Sequence, residues 1–160
     1  FDWLWIPGIV FAGLGAVYTA FLFNQARARD LWQTPIQSAI HMLVHAIMAG
    51  SVVLMIIAPE SIEWMANILL WGIGANIVIM AKEILMPHDT PDTKKAIHLM
   101  TKGYYSKYFW FGATYGNLGS AVILVTLSGS WALFAGVMAL IGIYLTEFVR
   151  IRVPQMIPLS

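Results

Sequence analysis

The sequence predicts an all-α protein, a polytopic transmembrane helix bundle with about five helices. Hydrophobic residues make up 59% of the 160 positions and charged residues only 11%. A soluble domain carries about 25% charged residues, so this chain has too few to cover a water-exposed surface. The chain also contains five apolar stretches of about 20 residues, the length that an α-helix needs to cross a bilayer.

The five predicted helices cover 4–23, 37–58, 64–86, 108–127 and 131–149. They are too long for strands and lack the alternation of polar and apolar residues that a half-buried strand shows. No shift in composition marks a domain boundary, so 1–160 reads as a single transmembrane bundle. The chain opens at Phe1 without a signal-peptide pattern, and we expect it to be part of a longer chain.

Each helix has recognisable limits. The first follows the aromatic run FDWLWIPG, which is typical of a membrane interface, and it has a small residue at every fourth position from Gly8 to Ala20. The turn PESIE separates the second and third helices, and SGS separates the fourth and fifth. The link between the third and fourth helices is the longest and contains four lysines. Small residues at Gly112, Gly116 and Ser120 favour close helix packing in lipid.

The positive charges lie on one side of this arrangement. All nine Lys and Arg residues fall in the first link, the long third link and the tail, or at helix ends beside them. The opposite side carries Asp2, Glu60 and Glu63 instead. The positive-inside rule places the basic side, with the C-terminus, in the cytoplasm.

Ionisable residues inside membrane helices are costly and therefore point to function. His41 and His45 lie four residues apart in the second helix, and Glu83 lies near the end of the third. We expect these three to form a proton relay from the cytoplasm, because histidine titrates near neutral pH and burial tunes glutamate. The alternative is that they brace the bundle. For Lys82 and the Glu147–Arg150 pair the alternative is surface ion pairing.

Haem and zinc are unfavourable for the two histidines. Side chains on one face of one helix cannot occupy opposite sides of one haem, and their spacing of about 6 Å along the axis is too short for two haems. The run HMLVH lacks the glutamate of a metalloprotease helix and an obvious third zinc ligand. We therefore expect no haem or metal in this chain. The net charge of +1 suggests no nucleic-acid partner.

Three neutral polar residues lie at mid-depth in the predicted bundle: Asn76 in the third helix, and Tyr115 and Asn117 in the fourth. Groups of this type can hold a quinone carbonyl. They can equally serve as interhelical hydrogen bonds, and the sequence leaves both interpretations open.

The run FLFNQARARDLWQTPIQSAIHMLVHAIMAG resembles the NrfD-type membrane subunits of the polysulfide reductase family, most specifically in RDLWQTP. The segments AKEILMPH, HLMTKGYYSKYFWFG and RVPQMIPLS are similar to later parts of the same family, although VPQM departs from its usual tail. The resemblance covers nearly the whole chain. It implies that the chain is the C-terminal five helices of a larger subunit.

The resemblance implies a subunit of a respiratory oxidoreductase in the cytoplasmic membrane of a bacterium or archaeon. Such subunits exchange electrons between quinone, either menaquinone or ubiquinone, and an iron–sulfur ferredoxin-like partner. Molybdopterin or multihaem cytochrome subunits often complete the complex. The family's quinone site lies largely in helices that precede this stretch. Two other functions stay open: a passive membrane anchor, and part of a transporter with helices broken at glycines such as Gly72 and Gly74.

Overall fold

A computed structural model describes residues 2–24, 35–86, 90–127 and 129–157, and every regular element within these ranges is helical. Short 3₁₀ turns precede the first and third long helices. The helices are α1 (Trp5–Asn24), α2 (Pro35–Ile57), α3 (Ile62–Leu85), α4 (Pro91–Thr101), α5 (Ser106–Phe111), a π-helical segment (Gly112–Gly119), α6 (Ser120–Thr126) and α7 (Trp131–Gln155). Most of the RDLWQTP hinge, with Arg27 and Arg29, and the last three residues of the tail lie outside the described residues.

The predicted all-α membrane bundle is confirmed. Within the described ranges, α1, α2, α3 and α7 are each long and apolar enough to cross a membrane. The remaining span, the fourth in the predicted order, is the continuous run of α5, the π-helical segment and α6. Its junction residues, Gly112 and Gly119, keep right-handed helical dihedrals. At about 1.5 Å per residue this run is about 30 Å long, which also matches a bilayer core.

The structure differs from the sequence prediction at the basic side. The long third link contains α4, which begins at Pro91 because the Thr90 side chain accepts a hydrogen bond from the Thr93 backbone N–H at 3.2 Å. This N-cap and the proline at the first helical position are ordinary helix-start signals. The indole of Trp110 in α5 donates to the Thr101 carbonyl at 2.9 Å and so fixes the other end of α4.

The last helix is also longer than predicted. It runs to Gln155 rather than ending at 149, because its final turns are packed rather than solvated. Val149 and Val153 are fully buried against Met100 of α4 and Phe109 of α5. Pro154 lies in the last turn, close enough to the end for the helix to tolerate it.

Close contact between the π-helical segment and α7 holds the bundle together at its centre. A Cβ atom on Gly116 would lie 2.2 Å from the Cα atom of Gly142, so only glycine permits this crossing. The small residues that the sequence assigns to packing therefore do bring two helices together here. By contrast, α3 passes through Gly72 and Gly74 without a break.

The two ends of the bundle differ in charge. The basic end is where α3 and α7 finish and where α2, α4 and α5 begin. Its exposed cations among the described residues are Lys82, Lys94, Lys95, Lys102, Lys107 and Arg152. The opposite, acidic end carries Glu60 and Glu63. This separation agrees with the charge pattern of the sequence, whereas a cytoplasmic position for the basic end is a prediction of the positive-inside rule.

Candidate functional site: a buried polar network

A polar network lies between α2, α3, the π-helical segment and α7. It begins near the basic end and reaches the middle of the bundle. Apolar helices surround all of its members, and six of them are buried. They are His41 and His45 from α2, Asn76 and Glu83 from α3, Asn117 from the π-helical segment, and Arg150 and the partly buried Glu147 from α7.

Asn76 is the centre of the network. Its Oδ1 atom lies 2.7 Å from His41 Nε2 and 3.1 Å from His45 Nε2, so one amide oxygen serves both imidazoles. The spacing of four residues places both rings on one face of α2, with their centroids 4.2 Å apart. His45 lies near the midpoint of α2, which runs from Pro35 to Ile57. The helix begins two residues before the predicted start at 37.

The network continues from Asn76 to the fourth span. Asn76 Nδ2 donates to Asn117 Oδ1 at 2.9 Å, and Asn117 Nδ2 donates to the Gly112 carbonyl at 3.2 Å. The π-helical segment widens the helix at this point, and such segments occur frequently at functional sites. Both asparagines are completely buried, and all their amide atoms have partners.

Arg150 connects His41 to two carboxylates. Its Nη1 atom contacts His41 Nδ1 and donates to Glu147 Oε1 at 2.9 Å. Its Nη2 atom donates to Glu83 Oε1 at 3.2 Å. The planar fork of a guanidinium suits this arrangement of several acceptors, whereas an ammonium group could not match its geometry.

Arg150 also sets the direction of the hydrogen bonds. A guanidinium only donates, so His41 Nδ1 must accept and its Nε2 must carry the proton. His41 Nε2 then donates to Asn76 Oδ1, which orients the Asn76 amide so that its nitrogen donates to Asn117. The neutral tautomer of His41 and the orientations of both amides therefore follow from one arginine.

His45 is the one histidine of the network that can gain a proton without breaking this chain of donors. Its Nε2 atom donates to Asn76, and its Nδ1 atom lies 3.5 Å from Glu147 Oε1. An unprotonated His45 Nδ1 and an ionised Glu147 carboxylate would repel each other across that contact, because both present lone pairs. A proton on either His45 or Glu147 turns the contact into an attractive one, so the His45–Glu147 pair can hold an exchangeable proton.

Charge balance points to the same pair. Among the described residues of the network, one guanidinium faces two carboxylates, which leaves a net charge of −1 when both histidines are neutral. An uncompensated charge in a low-dielectric interior costs several kcal/mol. One added proton removes that cost, and the second carboxylate oxygen, Glu147 Oε2, has no hydrogen-bond partner within the described ranges.

Apolar packing closes the network on its far side. Towards the acidic end, the bundle interior is filled by a cluster that includes Met48, Val52, Met55, Leu69 and Ile73, all at most 1% exposed. Ser51 in this region donates to its own helix, at the Met48 carbonyl. Among the residues that the structure describes, the network therefore has polar continuity with the basic end only.

A metal ion is a weaker interpretation of the same residues. The structure does bring a third potential ligand to the histidines, since ligand atoms of His41, His45 and Glu147 lie within 4.8 Å of one another. The sequence did not show this third group. However, both His41 nitrogens are already used by Arg150 and Asn76, and the guanidinium would repel a cation at this position.

The predicted site residues divide into two groups. The proposed relay residues His41, His45 and Glu83 come together, and Asn76 and Asn117 join them. Tyr115 does not, because it points away from the bundle interior, is 61% exposed and packs on Phe111 with a centroid distance of 4.8 Å. Lys82 is likewise exposed at the basic end. For Arg150 the sequence indicates only a surface ion pair with Glu147, whereas the structure buries its guanidinium between Glu147 and Glu83.

A quinone head does not fit these residues well. Asn76 and Asn117 bond each other and the histidines, which occupies both amide oxygens and one of the two N–H groups of each Nδ2 atom. Both residues are completely buried, so a quinone head has no open approach to the remaining N–H groups. The remaining predicted contact, Tyr115, is on the outer surface. Within the part of the chain that the structure describes, the geometry favours interhelical and proton-handling roles for the two asparagines.

Comparisons of the chain with protein-family models, with curated proteins and with solved structures gave no match. The resemblance to NrfD-type subunits therefore rests on the sequence motifs alone.

Proposed function

We propose that this chain is the proton-handling part of a membrane subunit in a respiratory oxidoreductase, which exchanges electrons between quinone and an iron–sulfur partner. The observation that carries the proton role is the continuous network from Glu83 and Arg150 at the basic end to Asn117 at mid-bundle. The electron-transfer role is supported by the RDLWQTP hinge and the other family-like segments of the sequence.

The network acts as a one-sided path. Protons enter from the basic end, are held by the His45–Glu147 pair, and cannot pass the apolar cluster towards the acidic end. Arg150 keeps His41 in one tautomer and keeps the two carboxylates in place. Quinone supplies the redox chemistry, and its head binds outside the described residues. This chain supplies the protons that quinone reduction consumes, or carries away the protons that quinol oxidation releases.

The test is quinone-dependent turnover with simultaneous measurement of proton uptake, using the whole complex in vesicles. Glu83→Gln and His45→Ala are expected to lower proton uptake at least tenfold, within the range for loss of a positioned proton-transfer group. Glu63→Gln is the matched control, because it changes an exposed carboxylate at the other end of the same helix. It should leave turnover and proton uptake unchanged.

Other outcomes favour other functions. If Glu83→Gln and His45→Ala keep full turnover and full proton uptake, the relay proposal is wrong. A loss of stability without any change in proton uptake supports a passive anchor braced by the network. Solute uptake by vesicles that contain no quinone-linked activity supports a transporter.

A further inference from the structure

Helix α4 has two chemically different faces. One face packs on the bundle and buries Thr93, Ala96 and Met100. The other face is exposed and carries Lys94, Lys95 and His98, and the exposed Lys102 follows directly after the helix. Because α4 joins two membrane-crossing helices at the basic end, it lies where lipid headgroups meet the bundle. Amphipathic helices with basic polar faces commonly occupy this interface.

A groove of about 470 Å³ runs between α4 and the end of α7. Its polar lining, called the rim here, is formed by Lys94, Lys95 and His98. Its apolar lining, called the floor, is formed by Leu99, Met156 and Ile157. The volume is in the range of small-molecule sites, about 300–1,000 Å³. A ligand that matches both parts needs an anionic group for the rim and an apolar chain for the floor.

The rim keeps a positive charge after its local ion pair is counted. Lys95 Nζ lies 3.2 Å from Asp92 Oδ1, and this pair is partly exposed. Lys94 adds a second cation and His98 adds a ring N–H donor at the same rim. This set of donors is complementary to a phosphate with one net negative charge, and basic pockets at this membrane level bind anionic headgroups in other proteins.

We propose that this groove binds one anionic phospholipid of the leaflet at the basic end. The headgroup phosphate lies between Lys94, Lys95 and His98, and the start of an acyl chain lies on Leu99, Met156 and Ile157. The site is separate from the buried network and does not depend on the proposed electron-transfer function. Its consequence is that α4, and through it the end of α7, is held in place by a specific lipid.

The experiment measures lipid binding to the whole protein in detergent, from the shift of its unfolding temperature as lipid is added. Phosphatidylglycerol is expected to bind more tightly than phosphatidylcholine. Each lysine near an anionic headgroup contributes about fivefold in affinity, so Lys94→Gln/Lys95→Gln should weaken binding about 30-fold. The matched control is Lys82→Gln/Lys107→Gln, which removes the same charge from exposed positions at the same end. It should weaken binding less than threefold.

Two further arms identify the ligand. Inorganic phosphate should neither stabilise the protein nor compete with phosphatidylglycerol, because it cannot use the apolar floor. Met156→Trp fills the floor and leaves every cation in place, and it should also weaken lipid binding. Equal affinity for the two lipids, equal effects of the two double variants, or full competition by phosphate would each overturn the proposal.

Discussion

Replacing Asn76 with leucine tests the buried network at its centre. Leucine has the same branched side-chain skeleton of four heavy atoms as asparagine but is bulkier, so the change removes polar atoms without opening a cavity. It deletes the acceptor for His41 Nε2 and His45 Nε2 and the donor for Asn117 Oδ1. All three orphaned groups belong to buried residues.

The expected loss follows from these three bonds. Hydrogen bonds between membrane helices contribute about 0.6 kcal/mol on average and up to about 1.7 kcal/mol. Three of them give about 2–5 kcal/mol. The higher part of the range is expected here, because each orphaned group is buried and a buried unpaired group carries its full desolvation penalty.

The assay is reversible unfolding of the whole protein in mixed micelles. Asn67→Leu is the control, since Asn67 lies in the same helix but is exposed and only donates to the Glu63 carbonyl at 3.0 Å. It should change stability by less than about 0.5 kcal/mol. A loss below about 1 kcal/mol for Asn76→Leu, or a loss equal to that of the control, would refute the reasoning that this network stabilises the bundle.

Three other substitutions test neighbouring features by the same assay. Arg150→Met leaves two carboxylates without their shared cation and should cost about 3–5 kcal/mol, whereas Arg152→Met, at an exposed position, should cost less than about 1 kcal/mol. Gly116→Ala forces a methyl group against Gly142 and should cost about 1–3 kcal/mol, while Gly74→Ala, with nothing within 4 Å of the added atom, should cost nothing. Ser120→Ala should leave stability unchanged or raise it by up to about 1 kcal/mol. The buried Ser120 hydroxyl has no partner within the described ranges, so its removal also removes a desolvation penalty. Equal effects within either pair, or a clear loss for Ser120→Ala, would contradict the packing described above.

Much of the fold follows from the sequence because membrane helices are long apolar runs with polar limits. The predicted limits of the second and third helices lie within two residues of the observed ones. The prediction missed α4, since an amphipathic helix between two spans has the mean polarity of a loop. It also ended the last helix too early, because Arg150 reads as an interfacial charge when its neighbours in space are unknown.

The candidate site was only partly predictable for the same reason. Spacing alone placed His41 and His45 on one face of a helix, and the depth of Asn76 and Asn117 indicated interior positions. Which polar group meets which depends on how four helices pack, and that information is not local. Tyr115 shows the limit clearly, since it is two residues from Asn117 yet faces outward where Asn117 faces inward.

The network also gives the bundle a polarity that composition does not reveal. Polar groups occupy its interior from the basic end to mid-bundle, and the rest is mainly methionine and aliphatic side chains, with the buried hydroxyls of Ser51 and Ser120 among them. A path that ends inside the protein suits delivery of protons to a reaction, rather than conduction across the membrane. The lipid groove on α4 lies outside this interior and adds a second, independent function to the basic end.

The most direct test of the proton role is an infrared difference spectrum of the whole complex between oxidised and reduced quinone pools. If the His45–Glu147 pair exchanges a proton during turnover, a protonated-carboxyl band of Glu147 or an imidazolium band of His45 appears in the difference spectrum. That band should vanish in Glu147→Gln and persist in Glu63→Gln. A difference spectrum that is the same in Glu147→Gln as in the unsubstituted protein would contradict the proton-handling role of this network.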